Sequence, residues 1–221
     1  MANYWEYNGT TWIKESPLRG LTGMGGGAVM SSQQSAGGSA ETWTHDNTYT
    51  GFTTGVRIDG GSNISESWAQ NMQEFTFQWE VYINSDATTN SWHLQVTPGW
   101  DTDAGGLLIG IHGSWKVSIA GPQLGGYGHI ANDNLPGQTW TECRYCFQSS
   151  ALHAGSYAKQ RIYYGDTNQG ETDGSYNQSY VTWDTGIWGG AGRQAPGTTF
   201  SLPFSGGIRN LKLADQYDYT F

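Results

Sequence analysis

The segment MQEFTFQWEVYI, residues 72–83, constrains the fold more than any other part of the sequence. Its odd positions from 75 to 83 are all apolar, whereas positions 76, 78 and 80 between them are polar. An alternation of period two indicates a β-strand with one side in a core and the other side facing solvent. A strand of this kind needs a second layer over its apolar side, so the segment favours a layered β fold.

Several other segments carry the same strand pattern and are separated by turn residues. They are residues 91–97, 107–120, 138–148, 158–165 and 204–215. Of the 221 residues, 33 are glycine, about twice the usual share, which suits many tight turns. The apolar run 107–120 is predicted to be a hairpin that turns near Gly113 and Ser114. Strands do not alternate with long helices, so the sequence predicts an all-β, antiparallel two-sheet β-sandwich of the jelly-roll type.

We predict a single β-sandwich domain over residues 1–221, because no interdomain linker and no internal repeat interrupts the pattern. The domain would open with a hairpin over residues 4–14 that turns at Asn8-Gly9, a strong two-residue turn signal. Residues 20–40 are rich in Gly, Ser and Gln without periodicity, which indicates an irregular loop or an arm that orders on a neighbouring molecule. The short stretch 65–72 is the one helix candidate.

The charge balance of the chain argues against several kinds of partner. There are 10 Lys and Arg against 19 Asp and Glu, which gives a net charge of −9 and an isoelectric point near 4.8. A field of this sign repels phosphate backbones and anionic lipids, so neither nucleic acid nor a membrane surface is an expected partner. No apolar run is long enough for a membrane span, and the opening MANYWEYNG lacks signal-peptide features. We therefore expect synthesis in the cytoplasm without a signal peptide, and no membrane insertion.

Cys143 and Cys146 are the two cysteines of the chain. Because they stand three positions apart on a predicted strand, their side chains point to opposite faces, which is poor geometry for a mutual disulfide. A zinc or redox site would need a turn or a second cysteine pair. The sequence therefore predicts two free thiols, with Cys143 packed in the core.

The stretch WHLQVTPGWDTDAGGLLIGIHGSWKVSI, residues 92–119, places a strand with His and Gln before a loop, an apolar strand and a G-x-W-x-V hairpin. It resembles the centre of polysaccharide-lyase and laminin-G-like domains of the concanavalin A-like lectin and glucanase superfamily. PGQTWTECRYCFQSS (136–150) and GGIRNLKLAD (206–215) resemble the next strand and the closing strand of those domains. The resemblance covers residues 52–215 and implies a concanavalin A-like jelly roll.

The opening hairpin and the acidic, glycine-rich chain also resemble small structural proteins of bacteriophages. That resemblance implies a virion protein, such as a decoration, adhesion or tail protein, with other virion proteins as partners. It also implies an oligomer, or attachment to a larger assembly, and a place on the virion surface.

The polar residues of the alternating strands form a candidate glycan-binding set, because all of them can lie on the non-core face of one sheet. Sugars need amides and carboxylates to match their hydroxyls, and flat rings for their C–H faces. A solvated sheet face would also be polar, and that interpretation stays open. Trp183, in the loop TWDTG, is predicted to be an exposed stacking platform, the alternative being that it fills an end of the sandwich. The predicted set is Gln78, Glu80, His93, Gln95, Arg144, Arg161, Tyr163 and Trp183.

A second hypothesis is a polysaccharide lyase that cleaves a uronate-containing polymer by β-elimination. This chemistry needs a group that neutralises the carboxylate, a base at C5 and an acid at the glycosidic oxygen. Alginate-lyase-like jelly rolls supply an Arg, a Gln-x-His pair, and Tyr-x-Lys followed by a second Tyr, and this chain is similar in order. The pair is reversed here, and Gln160-Arg161 replaces the family's apolar-glycine sequence. The resemblance assigns the lyase roles to Arg57, His93, Gln95, Tyr157, Lys159 and Tyr163.

Other chemistries find no support in the sequence. The closely spaced carboxylates of jelly-roll glucanases are absent, as is the G-x-S-x-G of serine hydrolases. No cofactor is predicted. The loop Asp101-Thr102-Asp103 favours an ordinary turn, with a Ca²⁺ site at Asp101 and Asp103 as the alternative. Whether the chain is an enzyme stays open, and the favoured interpretation is a non-enzymatic glycan-binding or virion-decorating module.

Overall fold

A computed structural model describes the chain over residues 4–7, 12–15, 42–50, 56–59, 71–87, 91–95, 106–121, 126–153, 155–172, 178–183, 186–189 and 204–221. The predicted arm over residues 20–40 and most of the helix candidate 65–72 lie outside these ranges. The chain divides into two compact units, Met1–Ala36 and Gly37–Phe221, and each is described by itself. The single-domain organisation stays a prediction.

The first unit contains an antiparallel pair of short strands, β1 (Tyr4–Tyr7) and β2 (Trp12–Glu15). Tyr7 lies opposite Trp12, so four residues separate the strands. The expected two-residue turn at Asn8-Gly9 is therefore wrong, because such a turn would place Tyr7 opposite Thr10.

The second unit consists of two six-stranded sheets over the ranges described. Its elements in chain order are β3 Thr42–Thr50, β4 Val56–Asp59, β5 Glu74–Ile83, β6 Ser91–Gln95, β7 Leu108–His112, β8 Lys116–Gly121, β9 Gly126–Ile130, β10 Thr141–Gln148, α1 Ser150–His153, β11 Lys159–Tyr164, β12 Thr167–Thr172, β13 Gly186–Gly189 and β14 Gly206–Ala214. The first sheet has the order β12-β11-β10-β5-β14-β3, and the second has the order β4-β13-β6-β7-β8-β9. All neighbouring strands are antiparallel, which confirms the predicted fold class.

The core lies between the two sheets and begins with the odd positions of β5. Each of these side chains is at most 1% exposed, which confirms the inward set that the alternation predicts. The second sheet contributes Leu94 from β6, together with apolar residues of β7 and β8. Because side chains from both sheets form one buried cluster, the second unit is a β-sandwich. The buried β5 residues are Phe75, Phe77, Trp79, Val81 and Ile83.

The predicted hairpin over residues 107–120 is confirmed as β7 and β8, which pair antiparallel. Residues 113–115 form the turn, where Gly113 has a φ of +60° and Trp115 a φ of +62°. Left-handed backbone of this kind is favourable for glycine and costly for residues with a Cβ. Glycine at 113 therefore avoids the cost that a Cβ brings to this backbone, a cost that Trp115 bears in the same turn.

The prediction of two free thiols is also confirmed. Neither Cys143 nor Cys146 forms a disulfide, and both are buried. Cys143 is part of the core cluster. Cys146 lies on the opposite side of β10, and its burial has a different cause.

That cause is the segment following β14, residues 215–221, which folds back over the outer face of the first sheet. We define the outer face as the side turned away from the core, and we name residues 215–221 the strap. Thr76, at an even position of β5, accepts a hydrogen bond from the Tyr219 backbone amide and donates one to the Gln216 carbonyl. The strap therefore covers part of a face that the alternation alone predicts to be exposed.

Candidate functional site

The outer face of the first sheet gathers half of the basic residues of the chain. Five of the 10 Lys and Arg lie on it, although the net charge of the chain is −9. They come from β10, β11 and β14, and carboxylates on the same face oppose several of them. The result is a mixed-charge surface that can match both donors and acceptors of a ligand. The basic residues are Arg144, Lys159, Arg161, Arg209 and Lys212.

One end of the outer face, which we name the open patch, combines aromatic rings with charged and amide groups. The rings of Tyr82 and Trp140 have centroids 5.5 Å apart and an interplanar angle of 49°. The guanidinium of Arg209 lies 4.3 Å from the centroid of the Trp140 ring. Its Nη2 atom is 2.7 Å from Glu80 Oε2. We define the open patch by these four residues and Asn210.

A β-bulge in β14 creates this arrangement. The pairing between β14 and β5 shifts register between Arg209 and Lys212, and Asn210 between them has a φ of +52°. A bulge places two consecutive side chains against one residue of the neighbouring strand. Arg209 Nε accordingly donates to Glu80 Oε2 at 2.8 Å, while Asn210 Nδ2 donates to Glu80 Oε1 at 2.5 Å. Both oxygens of one carboxylate are held in place, which fixes the polar edge of the open patch.

The other end of the outer face lies under the strap, and its charged centre is Asp218. Arg161 Nη1 lies 2.5 Å from Asp218 Oδ2, and the Tyr163 hydroxyl donates to the same oxygen at 3.2 Å. Arg161 Nη1 also donates to the Tyr163 hydroxyl at 2.8 Å, and the Arg161 guanidinium pairs with Glu171. Asp218 has a φ of +57°, which is left-handed backbone that Asp tolerates better than most residues. The strap therefore places one carboxylate against a guanidinium and a phenol hydroxyl that are also bound to each other.

Two side chains under the strap are buried for the same reason. Thr76 has no exposed surface, and its hydroxyl forms hydrogen bonds with the strap backbone at Gln216 and Tyr219. Cys146 Sγ lies 3.7 Å from Asp218 Oδ1, and burial raises the pKa of this thiol to about 12. Because the thiolate is the reactive form, Cys146 is protected while the strap is in place.

Arg144 is the most buried of the five basic residues on the outer face. Its residue surface is 8% exposed, and its guanidinium lies 4.2 Å from the centroid of the Tyr163 ring. Among the described residues, Arg144 forms no ion pair, and its buried Nε has no hydrogen-bond partner. A buried cation that lacks a carboxylate is costly, so this position is suited to an additional anionic group.

The structure does not bring the predicted glycan-binding set together on one face. Gln78, Glu80, Arg144, Arg161 and Tyr163 lie on strands of the first sheet, whereas His93 and Gln95 lie on β6 of the second sheet. The expectation of one shared sheet face is therefore wrong. Alternation along a strand identifies its two sides but does not tell which sheet the strand joins.

Trp183 is a further correction. Its side chain has no exposed surface, and its ring lies 5.0 Å from that of Phe75 and 5.1 Å from that of Phe77, measured between centroids. The predicted exposed platform is therefore wrong. A short antiparallel bridge between Met72 and Val181 draws the segment into the core, so that Trp183 fills the sandwich.

The residues of the lyase hypothesis are likewise divided between the two sheets. Lys159 and Tyr163 lie on β11, and Tyr157 stands just before it and is 42% exposed. The other three residues lie on β4 and β6, in the second sheet. Burial raises the pKa of Tyr163, whose hydroxyl is already bound to Arg161 and Asp218. The six residues of the lyase hypothesis therefore do not share one sheet.

Sequence reasoning missed most of the open patch. Tyr82 continues the even positions of β5 and was detectable from the alternation that identified Glu80. Trp140 precedes β10, and nothing in its local sequence indicates that it packs beside Tyr82. The positions of Arg209 and Asn210 depend on a β-bulge, and the sequence of residues 204–215 does not predict that bulge.

Asp101 and Asp103, the alternative Ca²⁺ ligands, lie outside the described residues. Within the described ranges, no group of three or more His, Cys, Asp or Glu is arranged to hold a metal ion. The expectation of no cofactor stays a prediction. The part of the chain that the structure describes also contains no helix long and apolar enough to cross a membrane.

The pairing of Glu171 with Arg161 and Lys159 predicts a pH-dependent contribution to stability. Burial alone would raise the pKa of Glu171, but the hydrogen bonds from Arg161 and Lys159 outweigh it and lower that pKa. A carboxyl whose folded-state pKa is lowered stabilises the fold above its unfolded-state pKa, near ~4.3, and this contribution disappears as the pH falls through the folded-state pKa. Solvent screening limits it, so Glu171→Gln should cost about 0.5 kcal/mol at neutral pH.

Urea denaturation at about pH 7 and about pH 3 measures this contribution, because protonation removes it at the lower pH. The control is Asp166→Asn, since Asp166 is exposed and forms no ion pair with the described residues. That variant should change the free energy of unfolding equally at both pH values. An equal loss at both pH values for Glu171→Gln would contradict the predicted ion-pair contribution.

No protein-family model matches the sequence, and no curated protein matches it. Solved structures do resemble the chain. The CBM40 of the Ruminococcus gnavus IT-sialidase, solved with bound α2,3 sialyllactose, has a TM-score of 0.53 at 11% identity, over 78% of this chain and 93% of that chain. The NanB sialidase of Streptococcus pneumoniae has a TM-score of 0.55 at 12% identity, over 80% of this chain and 26% of that chain. At such identities the likeness shows the fold alone, an antiparallel β-sandwich.

Proposed function

We propose that this chain is a carbohydrate-binding β-sandwich module that holds a glycan at the open patch without cleaving it. The observation that carries the proposal is the partly exposed ring pair of Tyr82 and Trp140, bordered by the carboxylate of Glu80. Aromatic rings pack against the C–H faces of sugars. Carboxylates accept hydrogen bonds from sugar hydroxyls, and side-chain amides both donate and accept them. The bulge at Asn210 adds an amide beside that carboxylate.

The structural neighbours support the class of ligand. One of them, the Ruminococcus gnavus module, was solved with a bound sugar, and it matches most of this chain in fold. A binding role is preferred to β-elimination because the lyase residues fall on two sheets. A place on a virion, with other virion proteins as neighbours, is the finer proposal and rests on the sequence resemblance alone.

Replacing Trp140 tests the open patch. Trp140→Ala is expected to weaken glycan binding about tenfold, because loss of an aromatic stacking contact costs about 1.4 kcal/mol. A glycan array with the unmodified chain identifies a ligand, and calorimetric titration of that ligand measures the dissociation constant of each variant. The matched control is Tyr157→Ala, which removes an exposed ring that lies before β11 and outside the open patch.

Two results would overturn the proposal at different levels. Absence of any array ligand for the unmodified chain would contradict carbohydrate binding itself. Unchanged affinity in Trp140→Ala, with a ligand in hand, would retain carbohydrate binding but remove the open patch as its site.

A further inference from the structure

We propose that the strap covers a carboxylate-binding site on the outer face, and that Asp218 occupies this site as an internal ligand. The external ligand would be the carboxylate of an acidic sugar residue. This inference rests on the proposed function for the sugar part of the ligand and extends it to a second site with a defined charge. We name the residues around Asp218, which are Arg144, Arg161, Tyr163 and Thr76, the covered site.

The first observation is the coordination of the Asp218 carboxylate. Oδ2 receives both the Arg161 guanidinium and the Tyr163 hydroxyl, and these two donors are also bound to one another. Charge-assisted hydrogen bonds of this type are stronger than neutral ones and do not depend on how the carboxylate is attached. The donors sit on β11, so they remain in place if the strap leaves.

The second observation is Arg144, which lies beside the same tyrosine. Its guanidinium lies over the Tyr163 ring, it is more than nine-tenths buried, and its Nε has no hydrogen-bond partner among the residues that the structure describes. Arg161 already has Glu171 as a partner, whereas Arg144 has no ion-pair partner among the described residues. The covered site therefore contains a buried cation, Arg144, that forms no ion pair with the strap and could receive an acceptor group of a ligand.

The third observation is that the strap fits this face imperfectly. Its Tyr217 hydroxyl is buried and has no hydrogen-bond partner in the described part of the chain, and its Asp218 adopts left-handed backbone. The backbone hydrogen bonds that fix it to the described sheet both go to one side chain, Thr76. Surface segments outside the strand ladders can open at lower free energy than the whole fold, so an external carboxylate can compete with Asp218.

The chemistry of the uncovered surface selects the class of ligand. Removal of the strap would leave the Thr76 hydroxyl without its two strap partners, and Gln78 lies on the neighbouring position of the outer face. These groups suit sugar hydroxyls, while Arg161 and Tyr163 suit a carboxylate. A neutral sugar lacks the charged group that would replace Asp218, and a simple carboxylate lacks the hydroxyls.

Thiol labelling of Cys146 measures displacement of the strap in the unmodified chain. The strap buries this thiol, and Cys143 in the core provides an internal control that reports global unfolding. Glucuronate is expected to raise the labelling rate of Cys146 about tenfold at saturation, with the site identified by mass spectrometry, and to leave Cys143 unlabelled. Glucose at the same concentration should have no effect, and acetate should act only at much higher concentration.

The variant Asp218→Asn tests the internal ligand directly, because it preserves size and removes the charge. It should bind glucuronate at least tenfold more tightly than the unmodified chain, measured by calorimetric titration. Trp140→Ala should leave the response of Cys146 to glucuronate unchanged, because the open patch is a separate site. The labelling experiment needs no variant, so it tests displacement of the strap by glucuronate even if Asp218→Asn does not fold.

The outcomes separate the two proposals. If glucuronate leaves Cys146 labelling unchanged and binds Asp218→Asn no more tightly, the covered site is wrong, whether or not glycan binding depends on Trp140. Equal effects of glucuronate and acetate at equal concentration would also overturn it, since the site would then recognise any carboxylate and no sugar.

Discussion

Replacing Trp183 with alanine is expected to lower the free energy of unfolding by about 3–5 kcal/mol. The indole is fully buried between the rings of Phe75 and Phe77 and contributes to the cluster shared by both sheets. Truncation removes its buried area and leaves a cavity that rigid neighbouring strands cannot close. Urea denaturation monitored by circular dichroism measures the change, and the midpoint of thermal unfolding should fall with it.

Two matched variants sharpen this result. Trp183→Phe should cost much less, because it keeps an aromatic ring and removes a buried indole N–H that has no hydrogen-bond partner within the described ranges. Trp140→Ala removes the same side chain from a partly exposed position and should cost about 1 kcal/mol or less. A similar loss for Trp183→Ala and Trp140→Ala would contradict the placement of Trp183 in the core.

The second large effect is expected at Gly206, the first residue of β14. A Cβ at this position would lie 2.0 Å from the Tyr82 carbonyl oxygen and 2.5 Å from Cζ of Phe204. The oxygen belongs to the backbone of β5 and cannot rotate away, so Gly206→Ala must push the two strands apart. Overpacking of this kind costs about 1–3 kcal/mol. Because Tyr82 and Arg209 flank this contact, glycan binding at the open patch should fall as well.

Gly113 provides the contrast, since a Cβ there meets nothing within 4 Å and the backbone φ of +60° is the sole obstacle. Gly113→Ala should cost about 1–2 kcal/mol, and Gly113→Asn should recover part of that loss because Asn tolerates left-handed backbone. Gly206→Asn should recover nothing. Thermal unfolding of the four variants distinguishes steric overlap from backbone strain, and recovery by Asn at Gly206 would contradict the steric explanation.

The inward half of the fold was predictable from the sequence because it depends on local alternation. The spacing of two between Phe75, Phe77 and Trp79 predicts that their side chains share the core side of the strand, and all three are buried. The hairpin around Gly113 was predictable for a similar reason, since its turn lies between two apolar runs. Features of this kind involve residues that are close in sequence.

The covering of the outer face was not predictable, because it depends on residues far apart in the chain. Thr76 and Gln78 alternate as solvent-facing residues do, yet Thr76 has no exposed surface and Gln78 is 7% exposed. Thr76 is buried by strap residues about 140 positions further along the sequence. Alternation tells which side of a strand a residue faces, and it says nothing about what lies over that side.

The division of the candidate residues between sheets has a similar origin. His93 and Gln95 alternate as well as Gln78 and Glu80 do, but β6 pairs with β7 and β13, whereas β5 pairs with β10 and β14. Strand order is decided by packing over the whole unit and by the paths of the connections. The residues of the open patch could therefore not be predicted without the strand register and the position of the bulge in β14.

The antiparallel pairing of β3 with β14 has an architectural implication. Thr42, the first residue of β3, lies opposite Ala214, the last residue of β14. Paired residues in an antiparallel ladder have Cα atoms about 4.5–5.5 Å apart, so the strands of the second unit begin and end close together near the edge of the first sheet. A short linker spans such a gap, and new termini can be opened at the exposed turn around Ser114. The strands of the second unit are therefore suited to circular permutation and to insertion into a surface loop of another protein.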